Sequence, residues 1–341
     1  MAPSAQDRRL LSMRTLRRRP VPVLLGVAVA LVVLAGLLWR PLFGSDPRPT
    51  GSVTMSTGVA SGVYSRYGEL LRGQLARDAP DLEITLEPSE GSVQNIQRLV
   101  AGEADFAIAT ADAIAAYRAA DPEGADLLRA CARLYDDYIQ LVVPADSPVR
   151  DAADLVGLRV GVGQDQSGVQ PAARQLLEAA GLDMEEDIVP IRSGIDAMPT
   201  MLEAGRLDAF FWSGGLPTSA VQRLAANTDI RLVPLGDLLP AMTALGPQNA
   251  YYRAAGLPPD AYPAIPGSQV VDTLAVANLL LTTESVDEAL TEQVTRSVIN
   301  GRDRIGQAVH AAQRVDRRTA IYTQPLELHP GARDYYRSVK P

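Results

Sequence analysis

Two stretches of the chain are written to one template: Gly91-Ser-Val-Gln-Asn-Ile-Gln-Arg-Leu99-Val-Ala-Gly102-Glu-Ala-Asp105-Phe-Ala-Ile, and Gly194-Ile-Asp-Ala-Met-Pro-Thr-Met-Leu202-Glu-Ala-Gly205-Arg-Leu-Asp208-Ala-Phe-Phe. Gly, Leu, Ala-Gly and Asp recur at identical spacing. Each stretch reads as a loop, a short helix, a glycine stop and a buried strand. A copied unit predicts two similar lobes. Lobes that face each other make a cleft, and helix N-termini around a cleft suit a small polar ligand.

Traced outward, each copy belongs to a longer unit. The first begins with a strand at Val53–Ser56, a Gly-rich loop, a helix to Asp78 and a strand at Leu82–Leu86. The second begins with a strand at Leu158–Val162, the loop Gly163–Val169, a helix at Gln170–Ala180 and a strand at Ile188–Ile191. Alternation of strands and helices predicts parallel sheets covered by helices, an α/β fold. Two long strands near Tyr138–Val143 and Asp272–Leu281 are expected to cross between the lobes as a two-strand hinge. Residues 51–143 and 272–341 would then form lobe 1, and 144–271 lobe 2. Residues 246–267, rich in Pro, Gly and Tyr, read as a long loop, and Glu288–Gln313 as a helix.

The N-terminal region has a separate character. Residues 21–39 carry no charge and follow the basic segment 1–20; a linker at 40–50 leads to the folded part. About 19 residues of helix span roughly 28 Å, close to a bilayer core. The Arg cluster at 14 and 17–19 puts the N-terminus in the cytoplasm and the rest outside. The segment is either an uncleaved membrane anchor or a signal sequence, and the apolar run is long for the latter. Either way the 341-residue chain is expected to work outside the cytoplasm, as a monomeric ectodomain.

Charge narrows the choice of partners. The chain totals -8; residues 1–40 carry +6, which leaves -14 on the rest. An acidic body argues against nucleic acid, and an anionic ligand would have to be held by local groups. Cys131 is the only cysteine, so an intrachain disulfide is excluded. The two histidines, His310 and His329, suggest surface or turn roles, because zinc needs three or four converging ligands. No nucleotide loop and no Ser–His–Asp or Cys–His pattern is visible. The sequence favours binding over catalysis and implies no cofactor.

The candidate ligand-binding residues lie in loops at strand ends. Ser56, Thr57, Gly58, Ser61, Gly62, Val63 and Tyr64 offer hydroxyls, a phenol and unpaired N–H groups at a helix start. Gly91, Ser92 and Asn95 open the next helix, with Ser92 either a cap or a ligand contact. Thr110 and Asp112 follow a strand at its carboxyl end, where open α/β sheets place ligands; Asp112 is either a ligand group or a helix cap. In the second lobe Ser167, Gly168 and Val169 mirror Ser61, Gly62 and Val63. Trp212, Ser213 and Gly214 could wall a pocket, or Trp212 could be ordinary core. The copied Asp105 and Asp208 fit structural turns.

The set Thr57-Gly58, Gly62-Val63-Tyr64, Tyr67-Gly68, Gly91-Ser92-Val93, Asn95 and Gly102-Glu103-Ala104-Asp105 resembles the TAXI-type solute receptors of TRAP transporters. Gly157 to Gly163, Leu207 to Pro217 and the tail Leu328-His329-Pro330-Gly331-Ala332 extend the resemblance. It implies a type II periplasmic-binding-protein fold that closes on its solute and docks on a fused TRAP membrane permease. It further implies a small carboxylate or amino-acid ligand, such as glutamate or 2-oxoglutarate. A ligand sensor that signals to a membrane partner is the alternative. Val59, Ala60 and Ser61 stand where the family has more glycines, Thr110 and Ala111 stand where it has Gln-Ser, and Arg66 could bring a positive charge to the cleft.

Overall fold

The computed structural model describes residues 49–267, 269–309, 312 and 315–340, which belong to one unit. The expected anchor at 21–39 and His310 lie outside the described residues. Among the described residues no helix is long and apolar enough to cross a membrane.

The first half realises the pattern read from the sequence. Strand β1 (Gly51–Ser56) leads through a loop into helix Val63–Asp78, then β2 (Leu82–Glu87), helix Ser92–Val100 and β3 (Phe106–Thr110). β1 pairs in parallel with both β2 and β3. Helices Ala111–Ala120 and Pro122–Asp126 then lead to the long strand β4 (Leu128–Pro144). The second half repeats the order: β5 (Arg159–Gly161), helix Val169–Ala179, β6 (Val189–Ile191), helix Met198–Glu203 and β7 (Ala209–Gly214). β5 pairs in parallel with β6 and β7.

Helix Ser219–Asn227, β8 (Ile230–Val233), helix Leu239–Leu245, β9 (Tyr252–Leu257) and β10 (Val271–Thr283) follow. The sheet runs β2-β1-β3-β10-β4-β7-β5-β6, with β8 on β4 and β9 on β10. β4 and β10 are antiparallel to each other, and each reaches both halves: β10 pairs with β3, and β4 pairs with β7. They contain the two stretches expected to cross, and β4 starts earlier than its apolar run suggests.

Two boundaries differ from expectation. The stretch 246–267 is not a plain loop, because Tyr252–Leu257 forms β9 against Val271–Val276. As an edge strand it needs only one partner, so it tolerates flanking Pro and Gly. The helix from Glu288 ends at Ala308, and the tail folds as helix Pro330–Ser338.

The apolar cores respect the two halves. Leu71, Leu75, Ile108, Leu280 and Val298 share one cluster, and Ile96, Leu99, Ile114 and Leu279 another. Leu141, Val160, Leu176 and Phe211 form a third, and Met198, Leu202, Phe210 and Leu224 a fourth. At about 25 cal/mol per Å² of apolar burial, such clusters dominate the stability of each half.

Candidate functional site

Every loop that leaves the carboxyl end of a central parallel strand points to one place. Residues 57–62 follow β1, Thr110 closes β3, Gly163 follows β5, and Gly214 ends β7. They enclose a cavity of about 60 Å³. A water needs roughly 10–15 Å³ on this measure, so the space fits a few waters or a small solute.

Three helices begin at this cavity: Val63–Asp78, Ser92–Val100 and Val169–Ala179. Their N-cap residues are Gly62, Gly91 and Gly168, which have no side chain to cap with; in the third helix Ser167 Oγ instead accepts from Gln170 N at 3.3 Å. Ordinarily Ser, Thr, Asp or Asn fills that position and accepts an orphan N–H. Here the positive ends of three helix dipoles face a common space.

Glycine is required where the halves meet. A Cβ on Gly91 would lie 3.2 Å from Ser167 Cα and 3.3 Å from Gly168 N, and Gly91 has φ +134. A Cβ on Gly168 would lie 2.9 Å from Ser92 Oγ. Polar contacts also bridge the halves. Gln94 N donates to Gln166 O at 3.2 Å, and Gln164 Nε2 donates to Glu90 Oε2 at 2.7 Å.

Side chains build the floor. Tyr64 Oη lies 3.0 Å from Ser92 Oγ and donates to Asn278 Oδ1 at 2.5 Å. Ser92 Oγ accepts from Thr110 N at 3.2 Å. Trp212 forms a wall, with its Nε1 donating to Thr218 Oγ1 at 3.0 Å. Ser213 Oγ donates to Asp137 Oδ2 at 3.4 Å. Asp137 is only 4% exposed, and its Oδ1 has no hydrogen-bond partner among the described residues. Burial, then the neighbouring Asp112 and Asp136 charges, push its carboxyl up to about 7, against the opposing pull of Asn278 and Ser213. Burial also drives the Tyr64 phenol well above its usual value.

The expected residues divide into two groups. Gly58, Gly62, Val63, Tyr64, Gly91, Ser92, Thr110, Ser167, Gly168, Val169, Trp212, Ser213 and Gly214 all line the cavity. Ser56, Thr57, Ser61, Asn95 and Asp112 are not among its lining residues. Ser56 donates to Asn95 Oδ1 at 2.6 Å, and Asn95 Nδ2 donates to the carbonyls of Thr57 and Ile108, each at 2.7 Å. Thr57 Oγ1 donates to Glu87 O at 3.1 Å. These groups fasten the loop after β1 to its own half. Ser61 instead bonds Asp196 across the halves.

Asp112 neither caps its helix, whose N-cap is Thr110, nor lines the cavity; it accepts from Tyr252 Oη. Burial raises its pKa. Arg66 pairs with Glu69 at the surface and brings no charge to the cleft. His329 is buried rather than at the surface, and its Nδ1 caps helix Pro330–Ser338.

The cavity also contains residues that the loop-based reading passed over: Val59, Glu90, Asp137, Gly163, Gln164 and Gly194. Among the described residues no cluster of three or more His, Cys, Asp or Glu side chains could hold a metal ion.

The model of the NMT1-like family matches residues 55–339, which span both halves and every residue of this cavity. The chain belongs to the NMT1-like family. Several solved structures resemble it at low identity. PhnD1 from Prochlorococcus marinus (MIT 9301), in complex with methylphosphonate, is 12% identical with a TM-score of 0.51, covering 76% of this chain and 90% of that one. The periplasmic aliphatic sulphonate binding protein SsuA from Escherichia coli is 14% identical with a TM-score of 0.45, covering 86% and 84%. A putative L-cystine ABC transporter from Listeria monocytogenes is 13% identical with a TM-score of 0.49, covering 77% and 98%. The PhnD1 match shows what is common at that distance, an α/β fold of the periplasmic-binding-protein kind.

Proposed function

We propose that this NMT1-like chain is an extracytoplasmic solute receptor. It takes a small carboxylate, such as glutamate or 2-oxoglutarate, into the cleft and delivers it to a fused TRAP-type permease, as the TAXI receptors do. Residues 51–143 with 272–341, and 144–271, act as the two lobes, and β4 and β10 flex between them. Residues 21–39 hold the monomeric ectodomain at the outer face of the membrane.

One observation carries this reading: three helix N-termini, each with glycine at the N-cap and first-turn N–H groups only partly taken up by Ser167 and Gln166, converge on a small cavity between the halves. Orphan N–H groups at the positive ends of dipoles bind anions without a cationic side chain. On the same fold, PhnD1 holds methylphosphonate, itself an anion. Contacts such as Gln164 to Glu90 would form only on closure, which makes the docked surface a report of occupancy.

The test is thermal denaturation of the purified chain, cleared of bound solute, against amino acids and small carboxylic acids. A true ligand at 100 times its Kd stabilises the fold by about 2.7 kcal/mol and raises Tm accordingly. A well-folded preparation that responds to none, and releases no small molecule on denaturation, would count against the receptor reading.

A further inference from the structure

The cleft is supplied unequally with charge partners. Its backbone offers donors, from the three helix starts at Gly62, Gly91 and Gly168. No Arg, Lys or His is among its lining residues, whereas Asp137 and Glu90 are. Glu90 is exposed and already accepts from Gln164. Asp137 is different: it is buried on β4, it faces the cavity, and its Oδ1 is unpartnered among the described residues. Neutral partners are all it has, Ser213 at 3.4 Å from Oδ2 and the Asn278 amide beside it, and a buried carboxylate so partnered carries a large desolvation cost unless an opposite charge meets it.

We infer that Asp137 receives a protonated nitrogen of the solute, so the ligand is a small zwitterion such as an α-amino acid rather than an oxo acid or an inorganic anion. The inference rests on the receptor reading of the cleft and adds the second anchor to it. The ligand's carboxylate lies on the helix N–H groups, and its ammonium donates to Asp137 Oδ1. Ser213 holds the other carboxylate oxygen, and Trp212 closes over the apolar part. A dianion in the same cavity would meet the Asp137 charge with no cation among the lining residues to offset it. A 2-oxo acid has the right negative end but brings no opposite charge to Asp137.

The experiment is a calorimetric titration of the full-length chain with a panel of α-amino acids, their matched 2-oxo acids and methylphosphonate. The expected result is binding by at least one amino acid at an affinity roughly 30-fold or more above that of its oxo counterpart. That is the least effect of removing one partner from a buried charge pair. Asp137→Asn should abolish the preference, and Asp137→Glu should retain it in part. Equal or tighter binding of an oxo acid or methylphosphonate overturns the assignment of Asp137 and leaves the cleft as an anion site. Binding by no probe, with no basic small molecule released on denaturation, overturns both the assignment and the receptor reading. Wild-type selectivity decides the matter even if a variant fails to fold.

Discussion

The two copies of the template, residues 91–110 and 194–213, share Gly91 and Gly194 at the cavity and the residues of their turns, and diverge at the helix face that follows the first glycine. Asp105 accepts the N–H of Thr54 at 2.7 Å and returns its own N–H to the Thr54 carbonyl at 2.9 Å. Asp208 does the same with Arg159, at 2.8 and 2.9 Å. Leu99 and Leu202 are both buried, and Gly102 and Gly205 both turn the chain with positive φ. The other positions diverge. Ser92 faces the cavity, while its counterpart Ile195 lies in an apolar core. Asn95 is a buried polar strut, while its counterpart Met198 is core. The first copy also opens a longer helix at the site; in the second half that place is taken by helix Val169–Ala179. Common ancestry of the halves is therefore written in their turns, and ligand reading in their asymmetries.

The sharpest way to break that contrast is to exchange the counterparts. Asn95→Met would remove one donor each from the carbonyls of Thr57 and Ile108 and the acceptor of the Ser56 hydroxyl, although Ser89 Oγ still donates to Thr57 O at 3.1 Å and Arg98 Nη1 to Ser56 Oγ at 3.0 Å. Each of the three lost hydrogen bonds is worth about 1 kcal/mol, so a loss of about 3 kcal/mol is expected in urea unfolding. Met198→Asn would bury an unmatched amide among Ile195, Leu202 and Phe210, with a loss of about 2–3 kcal/mol. Unchanged stability in Asn95→Met would mean that the strut is dispensable and the copies are closer than they look.

A second test concerns β4, which belongs to neither copy yet supplies Asp137. The carboxyl titrates at about 7 in the fold and near 4 when unfolded. Below pH 4 it is protonated in both states and contributes nothing. Between pH 4 and 7 the unfolded chain loses the proton first, so the ligand-free fold is progressively weakened; above 7 the penalty is complete. Asp112 and Asp136 add to it, while Tyr64, Tyr135 and Tyr252 stay neutral throughout, their phenols raised by burial. Asp137→Asn should therefore leave stability at pH 4 unchanged and raise it at pH 8 by on the order of 3 kcal/mol. A variant less stable than wild type at pH 8 would sink this account of the cleft floor.

The difference between halves also explains what the sequence could disclose. Copied spacing and the alternation of periods 2 and 3.6 are local signals, so both strand–helix units were legible. Glycines at helix starts were legible too, because few other reasons place Gly62, Gly91 and Gly168 there. The roles of Ser56, Asn95 and Asp112 were not, since a buried polar side chain reads the same whether it faces a cavity or a carbonyl. Only its partner decides, and that partner lies far along the chain, as with Asp112 and Tyr252. Asp137 was the costly omission. A charge within the almost continuously buried strand 128–144 was the available signal. β9 escaped because edge pairing does not demand an apolar run.

The smallest effect probes what the copies share. Asp105→Ala and Asp208→Ala each remove the acceptor for one strand N–H, and each should cost about 1 kcal/mol in chemical denaturation. They should differ in salt dependence. Asp208 also holds the Arg159 guanidinium, with Nε to Oδ2 at 2.9 Å and Nη2 to Oδ1 at 2.6 Å, and that pair keeps its carboxyl below the usual range. The pair is solvent-exposed and screened by added salt, so the Asp208→Ala deficit should shrink at high ionic strength while the Asp105→Ala deficit holds. Neither change touches the cavity lining, so affinity for any solute found should stay within about twofold, as additivity at separate sites requires. A large loss of affinity in either variant would show that the shared residues serve the ligand as well as the fold, and the division between common scaffold and asymmetric site would fail.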